Sequence, residues 1–384
     1  MKILRVITST NPEDGGPIDG IREISRVLSK QGHETEIACV DSPRAPWIKS
    51  FDLKIHALGP GLTHYQFSRR LVRWLKKNAK NYDSVIVEGL WQYDSYAAWE
   101  ALRKTSIPYF VYPHGMLDPW FNKKYPAKAL LKRVYWFFDQ HKVLRDAKAV
   151  IFTSEEEKRL ARQSFLPYKC NEVVLPLGVA LPKEIRKNLF FYKHPELSKK
   201  KYLLFLGRIH EKKGIDLLIR ALAKTEDIHL VVAGPDQTGL QKKLARLAEY
   251  VKATERITWA GMLTGDLKFS ALCNADALIL PSHQENFGIS VAEALACGTP
   301  VLITNKVNIW REIDKGNAGY VENDDLNGIV SLLKKWKSAS SNQKRKMRQN
   351  ARKCFSRNFE VTRAAKSLIM EISKHIKQNV KQTR

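Results

Sequence analysis

Short apolar runs alternate with segments of helical period along this chain, and that alternation leaves few folds open. In the first half the runs are Ile3–Ile7, Glu34–Val40, Val85–Glu88, Pro108–Tyr112, Ala149–Thr153 and Val173–Leu175. Helical patterns lie between them at Ile18–Lys30, Phe67–Ala79, Tyr96–Lys104, Lys128–Leu144 and Ser154–Gln163. The second half repeats the style, with strand runs Tyr202–Leu206, His229–Ala233, Ile257–Ala260, Ala277–Leu280 and Val301–Thr304. Its helical segments are Ile215–Lys224, Gly239–Lys252, Leu267–Asn274 and Ile289–Cys297. Alternating β and α units imply parallel sheets covered by helices on both faces. We therefore expect an α/β protein of two doubly wound, Rossmann-like domains facing each other across a cleft. The break falls in Ala180–Lys200, which is rich in Lys and Pro and lacks periodicity. This predicts a first domain over 1–180, a linker over 181–200, a second domain over 201–356, and a basic closing helix over 357–384 packed back on the first domain. A chain of 384 residues suffices for two cores.

Other classes are excluded by what the chain lacks. No run approaches the roughly 18 apolar residues of a membrane span. The opening Met1–Ile7 reads as a buried strand, its apolar stretch being too short for a secretory signal. Five scattered cysteines without a CxxC pair argue for free thiols in a reducing cytoplasm, against a zinc site or disulfide framework. The formal charge is +26, and residues 334–384 alone carry sixteen Lys and Arg against Glu360 and Glu371. Such a surface attracts phosphates of any kind, and charge alone does not choose among nucleic acid, anionic lipid and phosphate-bearing substrate.

The chemistry concentrates at strand ends. The run Ala277–Leu280 and Pro281-Ser282 deliver the loop Glu285-Asn286-Phe287-Gly288 to the start of a helix, Ile289-Ser290-Val291-Ala292-Glu293. Open α/β sheets bind ligands at this edge. If both glutamates were helical, their spacing would separate them by about 12 Å. That exceeds the ~5–9.5 Å of a glycosidase carboxylate pair. It suits two acceptors gripping separate hydroxyl-bearing parts of one long ligand, such as a sugar nucleotide. Upstream, Gly207-Arg208 ends the run Tyr202–Leu206, and Lys213-Gly214 precedes a helix. Gly207 lets a ligand approach the backbone, Arg208 offers a planar fork to phosphate oxygens, and Lys213 adds a mobile charge. His210, Glu211 and Lys212 read as surface.

Three loops of the first half add candidates. Asp14-Gly15-Gly16-Pro17 lies between the first strand and first helix, where Gly15 and Gly16 permit close backbone approach. His114, before Gly115, ends the run reaching Tyr112. Val87-Glu88-Gly89-Leu90-Trp91 ends another, and Glu88 with Trp91 are acceptor-side candidates; Glu88 could equally cap a loop.

A strand followed by Gly-Arg, then Lys-Gly, and some 70 residues later by Glu-x7-Glu resembles the family-four retaining glycosyltransferases. Gly261, Ala275-Asp276, Pro281-Ser282 and Gly298-Thr299-Pro300-Val301 extend the likeness. The resemblance spans essentially the whole chain and implies the GT-B fold, with the nucleotide held mainly by the second domain. It implies that Arg208 and Lys213 bind the diphosphate, that Glu293 accepts from the ribose hydroxyls, and that Glu285 faces the transferred sugar. The Asn286-Phe287-Gly288-Ile289 backbone would touch sugar hydroxyls and phosphates, with Gly207 and Gly261 beside the donor, and His114 would contact the donor sugar near the reacting carbon. In the mechanism usually proposed for such enzymes, the leaving phosphate oxygen receives the acceptor proton on the same face. The segment Asn308–Ile313 lacks the glycine usual in the family before the Pro-Glu type element, which leaves Glu312 without an assigned role.

These readings lead us to expect a metal-independent hexosyltransferase without cofactor. It would take a nucleotide-diphosphate sugar and a saccharide or lipid-linked acceptor, in bacterial cell-surface polysaccharide or lipopolysaccharide biosynthesis. Lys123–Phe138 and Arg69–Lys77 mix basic and large apolar residues: each alone reads as a core-facing stripe with a solvated basic face, and the two together leave peripheral contact with the anionic inner face of the plasma membrane open beside a cytoplasmic location. The alternatives are a sugar-nucleotide epimerase or phosphorylase on the same scaffold, or a basic nucleic-acid binder. The last lacks interleaved aromatics and known binding modules, so no nucleic-acid partner is expected.

Overall fold

A computed structural model describes residues 1–12, 16–182 and 184–382. The chain divides into two compact units, Met1–Gly178 with Val361–Arg384, and Val179–Glu360. The stretch read as a linker belongs to the second unit, where it carries the short helix Leu189–Lys193. The closing helix Val361–Gln382 belongs to the first unit and packs against the helix Gly16–Lys30.

The first unit holds strands β1 (Lys2–Ile7), β2 (Glu34–Cys39), β3 (Lys54–Ala57), β4 (Ser84–Glu88), β5 (Tyr109–Tyr112), β6 (Ala149–Phe152) and β7 (Glu172–Val174). They form one parallel sheet in the order β3-β2-β1-β4-β5-β6-β7. The second unit holds β8 (Tyr202–Leu206), β9 (His229–Ala233), β10 (Ile257–Gly261), β11 (Ala277–Leu280), β12 (Val301–Thr304) and β13 (Gly319–Glu322). Their parallel order is β10-β9-β8-β11-β12-β13. Every residue of β4, β5, β6, β8, β11 and β12 is buried. A strand covered on both faces needs a continuous apolar run, which is why these were legible. The edge strands β3 and β13 are only half buried and have no such run, and the sequence reading missed both.

In each sheet the strand order reverses once, between β1 and β4 and between β8 and β11. The loops leaving those strands diverge there and open a crevice at the carboxyl edge.

The helix expected over Lys128–Leu144 is interrupted. It runs Pro126–Tyr135, widens into a π turn over Trp136–Gln140 and resumes at His141–Arg145. Its first part buries only Ala129, leaving Leu130, Leu131 and Val134 exposed, and Phe137 and Phe138 in the π turn are exposed as well. The other mixed segment, Arg69–Asn78, buries Leu71 and Leu75 fully, so its apolar stripe belongs to the core. Among the described residues no helix is long and apolar enough to cross a membrane.

Candidate functional site

The loops after β8 and β11 meet in the second unit. Glu211–Lys213 form a 3₁₀ turn, and Gly214 follows with φ +65°. A Cβ on Gly214 would stand 2.2 Å from the Pro281 carbonyl oxygen, so a bare backbone is needed for the two loops to touch. The main-chain N–H of His283 donates to the Lys212 carbonyl at 2.8 Å and ties the loops together. The Glu285 loop is in turn pinned to the segment after β12. Its N–H donates to the Lys306 carbonyl, and its own carbonyl accepts from the Asn308 N–H, both at 3.0 Å.

This scaffold places the Lys213 ammonium directly on the Glu285 carboxylate. Burial is the main influence on Lys213; with the charges of Lys212 and Arg208 it pulls the amine down to about 7. The Glu285 carboxylate opposes that pull by favouring the charged form. Arg208 is exposed, and a Cβ on Gly207 would meet the Lys213 stem and the Phe205 ring, both at 3.8 Å. Gly261 ends β10 with φ +66° and open space around it.

Phe287 is buried edge-on against Phe359, with ring centroids 5.6 Å apart, anchoring the loop. Asn286 accepts a bond from Asn308 at 3.4 Å. Gly288 caps the helix Ile289–Ala296, whose first residue, Ile289, is partly buried. Glu293, on that helix, is mostly buried and accepts from Lys268 Nζ at 2.5 Å. Lys268 was not anticipated; it comes from the helix Gly265–Asn274, and nothing local in the sequence links it to Glu293.

In the first unit a cavity of about 510 Å³ opens at the β1/β4 reversal, lined among others by Thr8, Asp41, Trp47, Glu88, Gln92 and His114. Glu88 is buried, and both its oxygens are engaged. One contacts Arg5, and the other lies 2.7 Å from His114 Nε2. Burial pushes this carboxyl upward, but Arg5 and His114 together outweigh it, and the net value is lowered. An ionised carboxylate only accepts, so His114 Nε2 carries a proton towards Glu88 and Nδ1 is left for a ligand.

His114 sits at φ +51°, a conformation uncommon for any residue but glycine, and stacks on Tyr112 at 5.6 Å. The turn is fixed from behind by Glu157, which accepts the Gly115 N–H at 2.6 Å and the Thr153 N–H at 2.6 Å. In this arrangement Glu88 accepts from the Arg5 and His114 side chains.

Trp91 is not brought to this cavity. Its ring packs among Tyr135, Trp136 and Phe165, and its indole N–H donates to the Met116 carbonyl at 3.0 Å. Gly16 starts the helix Gly16–Lys30, whereas Asp14 and Gly15 lie outside the described residues. Thr8, Asp41 and Trp47 escaped the sequence reading, although Thr8 follows β1 directly and the strand-end rule could have flagged it. Asp41 accepts from the Thr10 N–H at 2.7 Å and the Trp47 indole at 3.3 Å. Among the described residues no three His, Cys, Asp or Glu side chains gather where they could share a metal ion.

Two family models match the chain. "Glycosyl transferase 4-like domain" covers residues 15–178, and "Glycosyl transferases group 1" covers 187–354. A D-inositol 3-phosphate glycosyltransferase from Mycolicibacterium gilvum is 40% identical over 101 residues, 26% of this chain and 23% of the relative. The match thus spans about a quarter of that protein's length. Anabaena Alr3699/HepE, solved with UDP-glucose, superposes with a TM-score of 0.72 at 15% identity, covering 97% of this chain and 100% of that one. WaaG, a glycosyltransferase of lipopolysaccharide biosynthesis, superposes at 0.67 and 17% identity, over 95% of this chain and 98% of its own. At such identities the two structures speak for the fold alone. With both parallel-sheet units matched, each by its own model, the chain belongs to the family-four glycosyltransferases of GT-B fold.

Proposed function

We propose that this protein is a retaining, metal-independent hexosyltransferase that draws on a nucleotide-diphosphate sugar. One observation carries the reading: a buried lysine and a carboxylate in contact at the β8/β11 reversal, with an exposed arginine on the same loop. An entering diphosphate finds two cations on one loop, Arg208 as a fork and Lys213 as a point charge, and their benefit grows as the leaving group gains charge. Gly261 leaves open space beside it, and the Gly207 and Asn286–Ile289 backbone would touch the phosphates and sugar hydroxyls. The first turn of Ile289–Ala296 adds the positive end of a helix.

Glu285, held by Lys213, presents its remaining lone pairs to the hydroxyls of the transferred sugar. Glu293, held by Lys268, does the same for the ribose. His114, fixed by Glu88, offers Nδ1 to a sugar hydroxyl. In the transfer the acceptor oxygen bonds to the anomeric carbon as the bond to the phosphate oxygen breaks. The acceptor's proton passes to that phosphate oxygen on the same face, which retains configuration. The UDP-glucose bound by HepE supports a nucleotide-sugar donor.

The exposed apolar stripe Leu130, Leu131, Val134, Phe137 and Phe138 is flanked by Lys128, Lys132 and Arg133, a composition fitted to an anionic membrane surface. It supports a lipid-linked saccharide acceptor in cell-surface polysaccharide synthesis, in line with the role stated for WaaG.

The test is donor hydrolysis across UDP-, GDP- and ADP-sugars, with the product's anomeric configuration read by NMR. A configuration-retaining release from one donor, unaffected by EDTA, is expected. An inverted product, or activity abolished by EDTA and restored by a divalent cation, would refute the mechanism. Leu131→Asp with Phe138→Asp should release the protein from phosphatidylglycerol vesicles; unchanged sedimentation with vesicles would remove the membrane role.

A further inference from the structure

The second unit contains another concavity, of about 740 Å³, whose lining shares no residue with the donor-site candidates. Five cations line it, Lys187, Arg345, Arg348, Arg352 and Lys353, and no acidic side chain does. Lys187 precedes the helix Leu189–Lys193, and the other four project from one face of the helix Ser341–Asn358. That helix contains seven Lys and Arg and no Asp or Glu. Cations three and four residues apart on a helix repel each other, so the bare face is destabilised by its own charge.

The usual relief is missing. Among the described residues none of the five makes an ion pair; Arg348 donates to the Ala275 and Asp276 carbonyls, and Arg345 to Asn342. The Arg352 guanidinium lies over Gly298, where a Cβ would come within 2.5 Å of its Nε. Cys273 and Cys297, at the ends of two other helices, complete the wall.

We propose that this concavity is a binding site for a soluble small molecule bearing a diphosphate or several phosphates. Its volume falls in the range of small-molecule sites, about 300–1,000 Å³. Five unpaired cations converging from two segments exceed what one phosphate needs and match a group of three to four negative charges. A merely solvated basic face is convex; this one is hollow, and the chain closes it with bare backbone at Gly298. Bound polyphosphate would quench the repulsion along Ser341–Asn358. Cys273 reports occupancy from inside the site. Its contact with Cys297 is the main influence lowering its thiol, to about 7, with Lys187, Arg352 and Arg348 contributing; the four other thiols are all raised.

The experiment follows iodoacetamide labelling of Cys273 in the full chain by peptide mass spectrometry, titrated with inorganic pyrophosphate at ionic strength held constant with NaCl. Pyrophosphate should slow labelling both in the wild type and in Arg208→Ala, which lacks one diphosphate ligand of the proposed donor site. Combining Arg345→Ala, Arg352→Ala and Lys353→Ala should raise the half-protecting concentration about tenfold or more. If that triple variant does not fold, Lys187→Gln with Lys353→Gln serves instead. The proposal is overturned if protection is equal in the variants, if NaCl alone reproduces it, if Arg208→Ala abolishes it, or if only phosphatidylglycerol vesicles or duplex DNA protect.

Discussion

Replacing Glu88 by glutamine tests whether this residue is a structural counter-charge or a hydroxyl acceptor. The Arg5 and Glu88 side chains are 4% and 1% exposed, so neither charge has access to water. Both Glu88 oxygens receive donors, Arg5 on one side and His114 on the other. An amide supplies one acceptor and turns the other position into a donor facing a donor, while Arg5 loses its counter-charge. Breaking a buried pair from one side costs about 3–5 kcal/mol. For a unit of this size that lowers the melting temperature by about 6–20 °C.

The measurement is thermal unfolding of Glu88→Gln, of Arg5→Met and of the double variant. The double variant should recover much of the loss, because an apolar replacement of a whole buried pair is often neutral. Acid adds a second check. The carboxyl is lowered from its ordinary 4.5, so its contribution is present above that pH and lost as pH falls through the folded value. The gap between wild type and Glu88→Gln should therefore narrow in acid. A Glu88→Gln protein that melts within about 2 °C of wild type, or losses that simply add in the double variant, would refute the counter-charge role.

Arg208→Ala, Lys213→Ala and Glu293→Ala should each lower kcat/KM for transfer by about 10²–10³ while circular dichroism stays native; wild-type rates from any one would remove it from the donor site. Asp94 is buried with one oxygen unpartnered, and burial raises it to about 6, so the folded state keeps its proton longer than the unfolded chain. Its contribution is thus complete below pH 3.8 and lost as pH rises through about 6; Asp94→Asn should stabilise the protein at pH 7.5 by up to about 3 kcal/mol and little at pH 4. Equal effects at both pH values in denaturant titrations would contradict this. Gly214→Ala should cost on the order of 3 kcal/mol by urea titration, against about 1 kcal/mol for Gly261→Ala, since both have positive φ but only the first meets a carbonyl at 2.2 Å. Equal losses would show that contact to be dispensable.

The two parallel sheets could be read from the residues alone, because a strand buried on both faces must be written as an uninterrupted apolar run, and β8 and β11 are. The candidate loops Gly207–Lys213 and Glu285–Gly288 could be picked out because open sheets bind ligands at the carboxyl ends of such strands. Edge strands β3 and β13 escaped because a half-buried strand mixes polar and apolar residues. The partners that hold the candidate residues in place emerge only in the folded chain. Lys213 meets Glu285 72 residues away, Lys268 meets Glu293 25 away, and Arg5 meets Glu88 83 away. Trp91, an acceptor-side candidate in the sequence, is partly buried against the rings of Tyr135, Trp136 and Phe165 and does not line the cavity beside Glu88. An ion pair or a ring stack depends on the distance between atoms brought together by folding, and no local pattern of residues encodes that distance.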